Sequence, residues 1–184
     1  MKTFNYEAML AESHELQKDA FVGLMIDKVC KHCNLNMVEW RHGSVNDDKR
    51  GGDVVLTLAN GKEVFIDLKI AKGERAQRIP LEIERGRNQK AMPWSLDATK
   101  GHLILWLNIQ LGWCLVASRK RLAAALLSQN NDTRALLLSA KRYDSITHVG
   151  SDKFCSPVHL IDRFRFGIWL KQQAIGTTLA HGNA

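Results

Sequence analysis

Cysteine and proline are scarce in this sequence, with four and three among 184 residues. So few cysteines argue against a disulfide framework. Cys30-Lys31-His32-Cys33 has the two-residue gap of a zinc half-site or a redox pair. No second Cys-x-x-Cys completes it, and only Cys155 with His159 could stand in, so the pair reads as two helix-end thiols one turn apart. Proline- or serine-rich linkers, internal repeats and low-complexity runs are also missing. One domain over residues 1–184 is the simplest division, with a core from about 10 to 175 and a flexible tail at 176–184.

No run approaches the roughly 20 apolar residues of a membrane span. The opening Met1-Lys2-Thr3-Phe4-Asn5-Tyr6-Glu7 has no apolar run behind its lysine, so a secretory signal is not expected and the cytoplasm is the expected location. P-loop, Gly-x-Gly-x-x-Gly, Gly-x-Ser-x-Gly, His-Glu-x-x-His and His-Asn-His patterns are absent, which removes the usual grounds for NTPase, dinucleotide-dependent and serine-hydrolase readings.

What is abundant is positive charge. Lysine and arginine number 26 against 19 acids, a formal net charge of +7. That balance favours polyanionic partners, because each neutralised phosphate releases counterions.

Leu16, Ala20, Phe21, Leu24, Met25 and Val29 recur at three- and four-residue intervals, which predicts a helix from about Tyr6 to Cys33. A short strand at Met37–Trp40 and a polar, glycine-rich loop from Arg41 to Gly52 follow. Asp53–Ala59 (DVVLTLA) and Lys62–Ile70 (KEVFIDLKI) read as strands around Asn60-Gly61, the strongest short hairpin signal. Further strands are expected at about Ile79–Glu84, His102–Ile109, Trp113–Ser118 and Val158–Ile161. Helices are expected at Arg121–Ser128, Thr133–Arg142 and around Phe166–Ile175. The sum is an α/β or α+β sheet domain.

The chemistry concentrates in the hairpin. Alternation sends Val64, Ile66, Leu68 and Ile70 to one face, and Phe65, Asp67 and Lys69 to the other. Two opposite charges thus share a face of an otherwise apolar strand, which is costly unless they are paired, solvated in a cleft or bound to a metal. A two-residue turn would pair Ala59 with Lys62, so opposed residue numbers sum to 121 and Asp53 faces position 68, beside both Asp67 and Lys69. Two carboxylates and an ammonium suit metal-assisted phosphodiester hydrolysis, the acids holding Mg²⁺ and the lysine stabilising developing charge or assisting deprotonation of water.

Gly-Gly-Asp53-Val-Val, a hairpin and Ile-Asp67-Leu-Lys69 resemble the PD-(D/E)XK nuclease superfamily, which includes restriction endonucleases, Holliday-junction resolvases and phage exonucleases. The likeness covers roughly residues 10 to 120, with its specific part at 53–69; Gly52 replaces the loosely kept proline. It implies a restriction-endonuclease-like core: an α/β fold with a mixed central β-sheet flanked by helices, the first on one face and later ones on the other. It also implies Mg²⁺-dependent DNA cleavage with Mn²⁺ able to substitute, RNA not being excluded, no membrane partner, and a homodimer as in many relatives. Asp53, Asp67 and Lys69 take the catalytic positions, with the Leu68 carbonyl as a further metal ligand. Glu15, on a helical face with Glu12 and Asp19, and Glu82, sharing a strand face with Glu84, are the supporting acids. Gln77 matches a glutamine that some members carry after the lysine. Arg75, Arg78, Arg85, Arg87 and Lys90 follow the lysine strand where nuclease clefts admit DNA.

Blander readings stand beside these. Asp67 and Lys69 could form a solvent-facing ion pair worth about 0.2–1 kcal/mol, Asp53 could be a turn residue, and Glu15 and the arginine run could be solvated faces. Trp94, alone in a polar loop, is the one tryptophan that suggests base stacking, and His42 could reach the cleft. The rival function is a catalytically inactive nuclease-fold module that binds nucleic acid or a protein partner, or a scaffold drawn to an acidic partner.

Overall fold

A computed structural model describes residues 15–71, 73, 77–84, 92–149 and 152–180. Residues 15–17 are helical, then the chain turns at Lys18 and Asp19 and re-enters helix as α1 (Ala20–His32). The Asp19 carboxylate accepts the Phe21 N–H, so a residue expected on a continuous helical face instead caps a new helix. A short acidic side chain does better there than inside a helix, because it satisfies one of the orphan N–H groups of the first turn.

β1 (Met37–His42), β2 (Val54–Leu58) and β3 (Glu63–Ala71) form an antiparallel meander. The segment expected to be loop between β1 and β2 contains α2 (Val45–Lys49), nucleated by a capping box between Ser44 and Asp47. In the hairpin, Val54 faces Ile66 and Thr57 faces Glu63, so opposed numbers sum to 120 rather than 121. Three residues, not two, make the turn, with Gly61 at φ +75 closing it. A left-handed glycine ending a three-residue loop is a common hairpin solution.

After β3 the chain passes through β4 (Arg78–Leu81) and returns as β5 (Leu103–Asn108) and β6 (Trp113–Ser118). Helices α3 (Arg119–Ser128) and α4 (Asn131–Leu138) follow, then strands β7 (Lys141–Val149) and β8 (Asp152–Asp162), helix α5 (Arg163–Gln172) and strand β9 (Gly176–Ala180). The helix expected over Thr133–Arg142 stops at Leu138, and Lys141 opens a strand. Residues 176–180, expected to fray, pair with β6 instead.

The central sheet runs β1-β2-β3-β5-β6-β9, with β3 and β5 parallel and its other pairs antiparallel. A second, antiparallel sheet runs β4-β8-β7. Alternation along each central strand splits the core in two. On one face α1 packs Val22, Met25, Ile26 and Val29 against Val54, Leu56, Ile66, Leu68, Leu105 and Leu107. On the other, Ile104, Trp106 and Leu115 meet Leu122 of α3, Leu136 of α4 and Phe166 and Trp169 of α5, with Ile79, Leu81 and Ile161 of the second sheet. Each such fully buried aliphatic side chain contributes about 1.5–3 kcal/mol. The α/β class, the mixed central sheet and the flanking helices expected from the sequence are all present. No helix among the described residues is long and apolar enough to cross a membrane.

Candidate active site

The site is built where β2 begins and β3 is half complete. Continuing the observed register by one residue sets Asp53 opposite Asp67, one place closer than the two-residue turn would have put it. The Asp53 Oδ2 accepts the Leu68 N–H at 2.7 Å, which locks the carboxylate across the strand pair. Asp53 can approach only because Gly52 precedes it: a Cβ on Gly52 would lie 2.6 Å from Cδ1 of the buried Phe65. Arg50 lies over that same phenyl ring, its Cζ 4.0 Å from the centroid, and closes the loop from outside.

Asp67 is buried and engaged at both oxygens. Lys69 Nζ lies 2.7 Å from Oδ1, and the Arg119 guanidinium hydrogen-bonds Oδ2. Arg119 is 2% exposed and stands at the first position of α3. The ladder explains its arrival: Ile66 faces Leu103 across the parallel pair, and Leu103 faces Ser118 in turn. The residue after Ser118 is therefore level with His102 and Phe65, where its N–H donates to the His102 carbonyl at 3.0 Å, and its side chain reaches two places along the same face to Asp67. Its other terminal nitrogen donates to the Trp94 carbonyl at 2.8 Å, while its Nε finds no partner among the described residues. Lys69 Nζ sits 4.8 Å from the centre of the Trp94 ring, so lysine, arginine and tryptophan enclose one carboxylate.

These groups line a cleft of about 190 Å³, which Asp48, Asp97 and Lys100 also border. Burial, and then the neighbouring Asp67 carboxylate, push the Asp53 carboxyl up to about 6, against the Leu68 N–H and the Lys69 ammonium, which favour its anion. Asp97 is partly buried, which works against its charge, yet hydrogen bonds from Thr99 bring its carboxyl below the usual range. The cleft thus sets the Asp53 carboxyl beside a carboxylate already ion-paired at Asp67.

The other expected site residues are placed elsewhere. Glu15 is exposed and ion-paired with Lys18 at 2.6 Å, outside the cleft lining. Glu82 is buried just after β4, where its backbone N–H donates to Ser95 Oγ at 3.0 Å; it too lies outside the lining. Glu84 pairs with Arg142 at 3.2 Å and faces His159 at 3.5 Å. The Gln77 carbonyl accepts the Arg163 N–H, away from the cleft. Arg78 is exposed at the start of β4, and His42 ends β1 edge-on to Trp40 at 5.3 Å. Arg75, Arg85, Arg87 and Lys90 lie outside the described residues. Arg119, Asp48, Asp97 and Lys100 were missed; the one available signal was an arginine ending the strongly apolar run of β6. Trp94, singled out in the sequence, does line the cleft.

Among the described residues no group of three or more His, Cys, Asp or Glu side chains converges as a metal centre. Asp53 and Asp67 offer two adjacent carboxylates, and a hydrated Mg²⁺ needs only one or two from the protein. A divalent cation there would relieve the repulsion between Asp53 and Asp67, which adds to burial in raising the Asp53 carboxyl. No family model, no curated protein and no solved structure matches this chain.

Proposed function

We propose that this chain is a Mg²⁺-dependent nuclease that hydrolyses DNA phosphodiester bonds on a restriction-endonuclease-like core. The observation carrying the reading is the meeting of Asp53, Asp67 and Lys69 in one cleft at the open end of the hairpin. Asp53 and Asp67, with the Leu68 carbonyl, would hold Mg²⁺ or Mn²⁺. Such an ion supplies charge neutralisation at a phosphate oxygen and a lowered pKa for the attacking water. Lys69, held 2.7 Å from Asp67 and packed by Trp94, is placed to donate to the developing phosphorane charge or to take up a proton from water. Arg119 fixes the carboxylate that Lys69 works beside. Exposed Arg78, with Arg75, Arg85, Arg87 and Lys90 in the same stretch of sequence, would meet the DNA backbone, a role the +7 net charge favours.

The test is cleavage of supercoiled plasmid, linear duplex, single strand and a four-way junction. Each is incubated with Mg²⁺, Mn²⁺ or EDTA, alongside the Lys69→Ala protein. Metal-dependent cutting that disappears in the variant establishes the nuclease, and the preferred substrate names its subclass. An absence of cutting on all four, with salt-sensitive binding intact, rejects it.

One observation favours a second reading. Both Asp67 oxygens are already engaged by internal cations, as in a structural ion cluster. A nuclease-fold module that holds nucleic acid or a protein partner without cutting fits that arrangement. Calorimetric titration with Mg²⁺ and Mn²⁺ separates the two, because the module has no need of either ion.

A further inference from the structure

Beyond the cleft, a second concavity of about 340 Å³ opens between α5 and the β6–β9 edge of the central sheet. Trp113 and Leu115 of β6 form its apolar floor, and Phe164 and Ile168, 57% and 60% exposed, stand at its rim. Its charged lining is of one sign. Arg163 and Lys171 border it, and no Asp or Glu does among the described residues.

Two of these side chains carry unmet donors. Trp113 is 2% exposed, yet among the described residues its indole Nε1 has no acceptor, and the buried Nε of Arg163 has none either. The Arg163 guanidinium lies 4.1 Å from the Phe164 ring centre and 5.6 Å from that of Trp113, packed on aromatic faces rather than on a carboxylate. The nearest acid in sequence, Asp162, is occupied in capping α5, where its Oδ1 accepts the Phe164 and Arg165 N–H groups. Burial accordingly holds the Arg163 guanidinium below its usual range, opposed only by Asp162.

An apolar cavity with unpaired donors, two cations and no carboxylate in its described lining is complementary to a ligand with an apolar body and an anionic head. Its volume falls within the ~300–1,000 Å³ typical of small-molecule sites. We infer that this cavity binds a small apolar carboxylic acid, its ring or branched chain lying on Trp113, Leu115 and Ile168 and its carboxylate meeting Arg163 and Lys171. Mostly apolar lining favours such an acid over a free phosphate, which would leave Leu115 and Ile168 without partners. The inference is independent of the chemistry at Asp53 and Asp67.

The test uses the full chain and two matched probes, 2-naphthoate and the neutral 2-naphthamide, in isothermal titration. Saturable binding of the acid is expected, with the amide weaker by about tenfold or more, the scale of one charge-assisted hydrogen bond. Arg163→Gln is expected to weaken the acid by a similar ~tenfold. Exposed Lys171→Gln, which leaves the packing alone, is expected to weaken it about threefold, and it carries the test if the arginine variant does not fold. Equal affinity for acid and amide, unchanged affinity in Lys171→Gln together with any Arg163→Gln protein that folds, or no saturable binding would overturn the inference. Inorganic phosphate binding as tightly as the acid would overturn the ligand class. A concentration-dependent dimer in sedimentation velocity, lost in Ile168→Ser, would show a second copy of the chain to be the occupant and would also overturn it.

Discussion

Arg119 and Asp67 are 52 residues apart in sequence and hydrogen-bond each other with their side chains only 2% and 9% exposed. A carboxylate so placed is tolerable because a guanidinium is buried with it, with Lys69 on its other oxygen. Removing one partner strands the other charge, so Arg119→Ala is expected to cost about 3 kcal/mol of unfolding free energy. Arg119→Ala with Asp67→Ala should cost less than the two single changes added together. Urea denaturation of the four proteins closes the cycle. Strict additivity would show that the pair is not energetically coupled.

Lys69 contacts the same carboxylate from a side chain that is 34% exposed, so solvent screens most of the attraction. Lys69→Ala should therefore change stability by less than about 1 kcal/mol. Cleavage should nevertheless fall by roughly 100- to 10,000-fold if the ammonium acts in proton transfer. Asp67→Asn should lose cleavage with DNA binding nearly intact. Urea melts and cleavage rates on the same preparations decide whether lysine and aspartate serve the chemistry or the fold.

The hairpin was legible because its signals are local. Asn60-Gly61 marks the turn, and the alternation in Lys62–Ile70 assigns Asp67 and Lys69 to a face. The register was off by one because left-handed Gly61 closes a three-residue loop, a choice that composition does not fix. Arg119 was illegible for the opposite reason. Its place beside Asp67 depends on β5 pairing parallel to β3 and β6 doubling back, three strands of non-local geometry. Asp19 shows a signal present but misread: an acid just before an apolar run is a cap before it is a helix face. Strand β7 is hidden in the sequence by the leucines of α4, whose helical spacing masks the strand that opens at Lys141.

Gly52 occupies the position where the resembled superfamily loosely keeps proline, and its own constraint is steric. A methyl group there would sit 2.6 Å from the Phe65 ring, which is wedged between Arg50 and His102. Gly52→Ala must displace either that ring or the segment carrying Asp53. The expected loss is about 1–3 kcal/mol, the usual penalty of overpacking a filled site. Thermal melts measure the loss, and chemical-shift changes at the Leu68 amide, which donates to Asp53, report whether the site moves with it. A wild-type Tm would mean that the loop accommodates the methyl at no cost.

Asp53 supplies a pH test that does not depend on turnover. Its carboxyl, pushed up to about 6 by burial and by Asp67, binds a proton more tightly in the folded chain than in the unfolded one. Stability from this group is therefore greatest at low pH and falls as pH rises from about 4 through 6, a total of roughly 3 kcal/mol. Asp53→Asn retains an oxygen for the Leu68 N–H but carries no charge. It should match the parent near pH 4 and exceed its stability at pH 8. Mg²⁺ bound between Asp53 and Asp67 would favour the anion, so it should raise the Tm of the parent at pH 8, do so weakly at pH 5, and leave Asp53→Asn unmoved at both. Equal stabilisation of both proteins would place the ion elsewhere, and no stabilisation of either at millimolar Mg²⁺ would favour the module that binds without cutting.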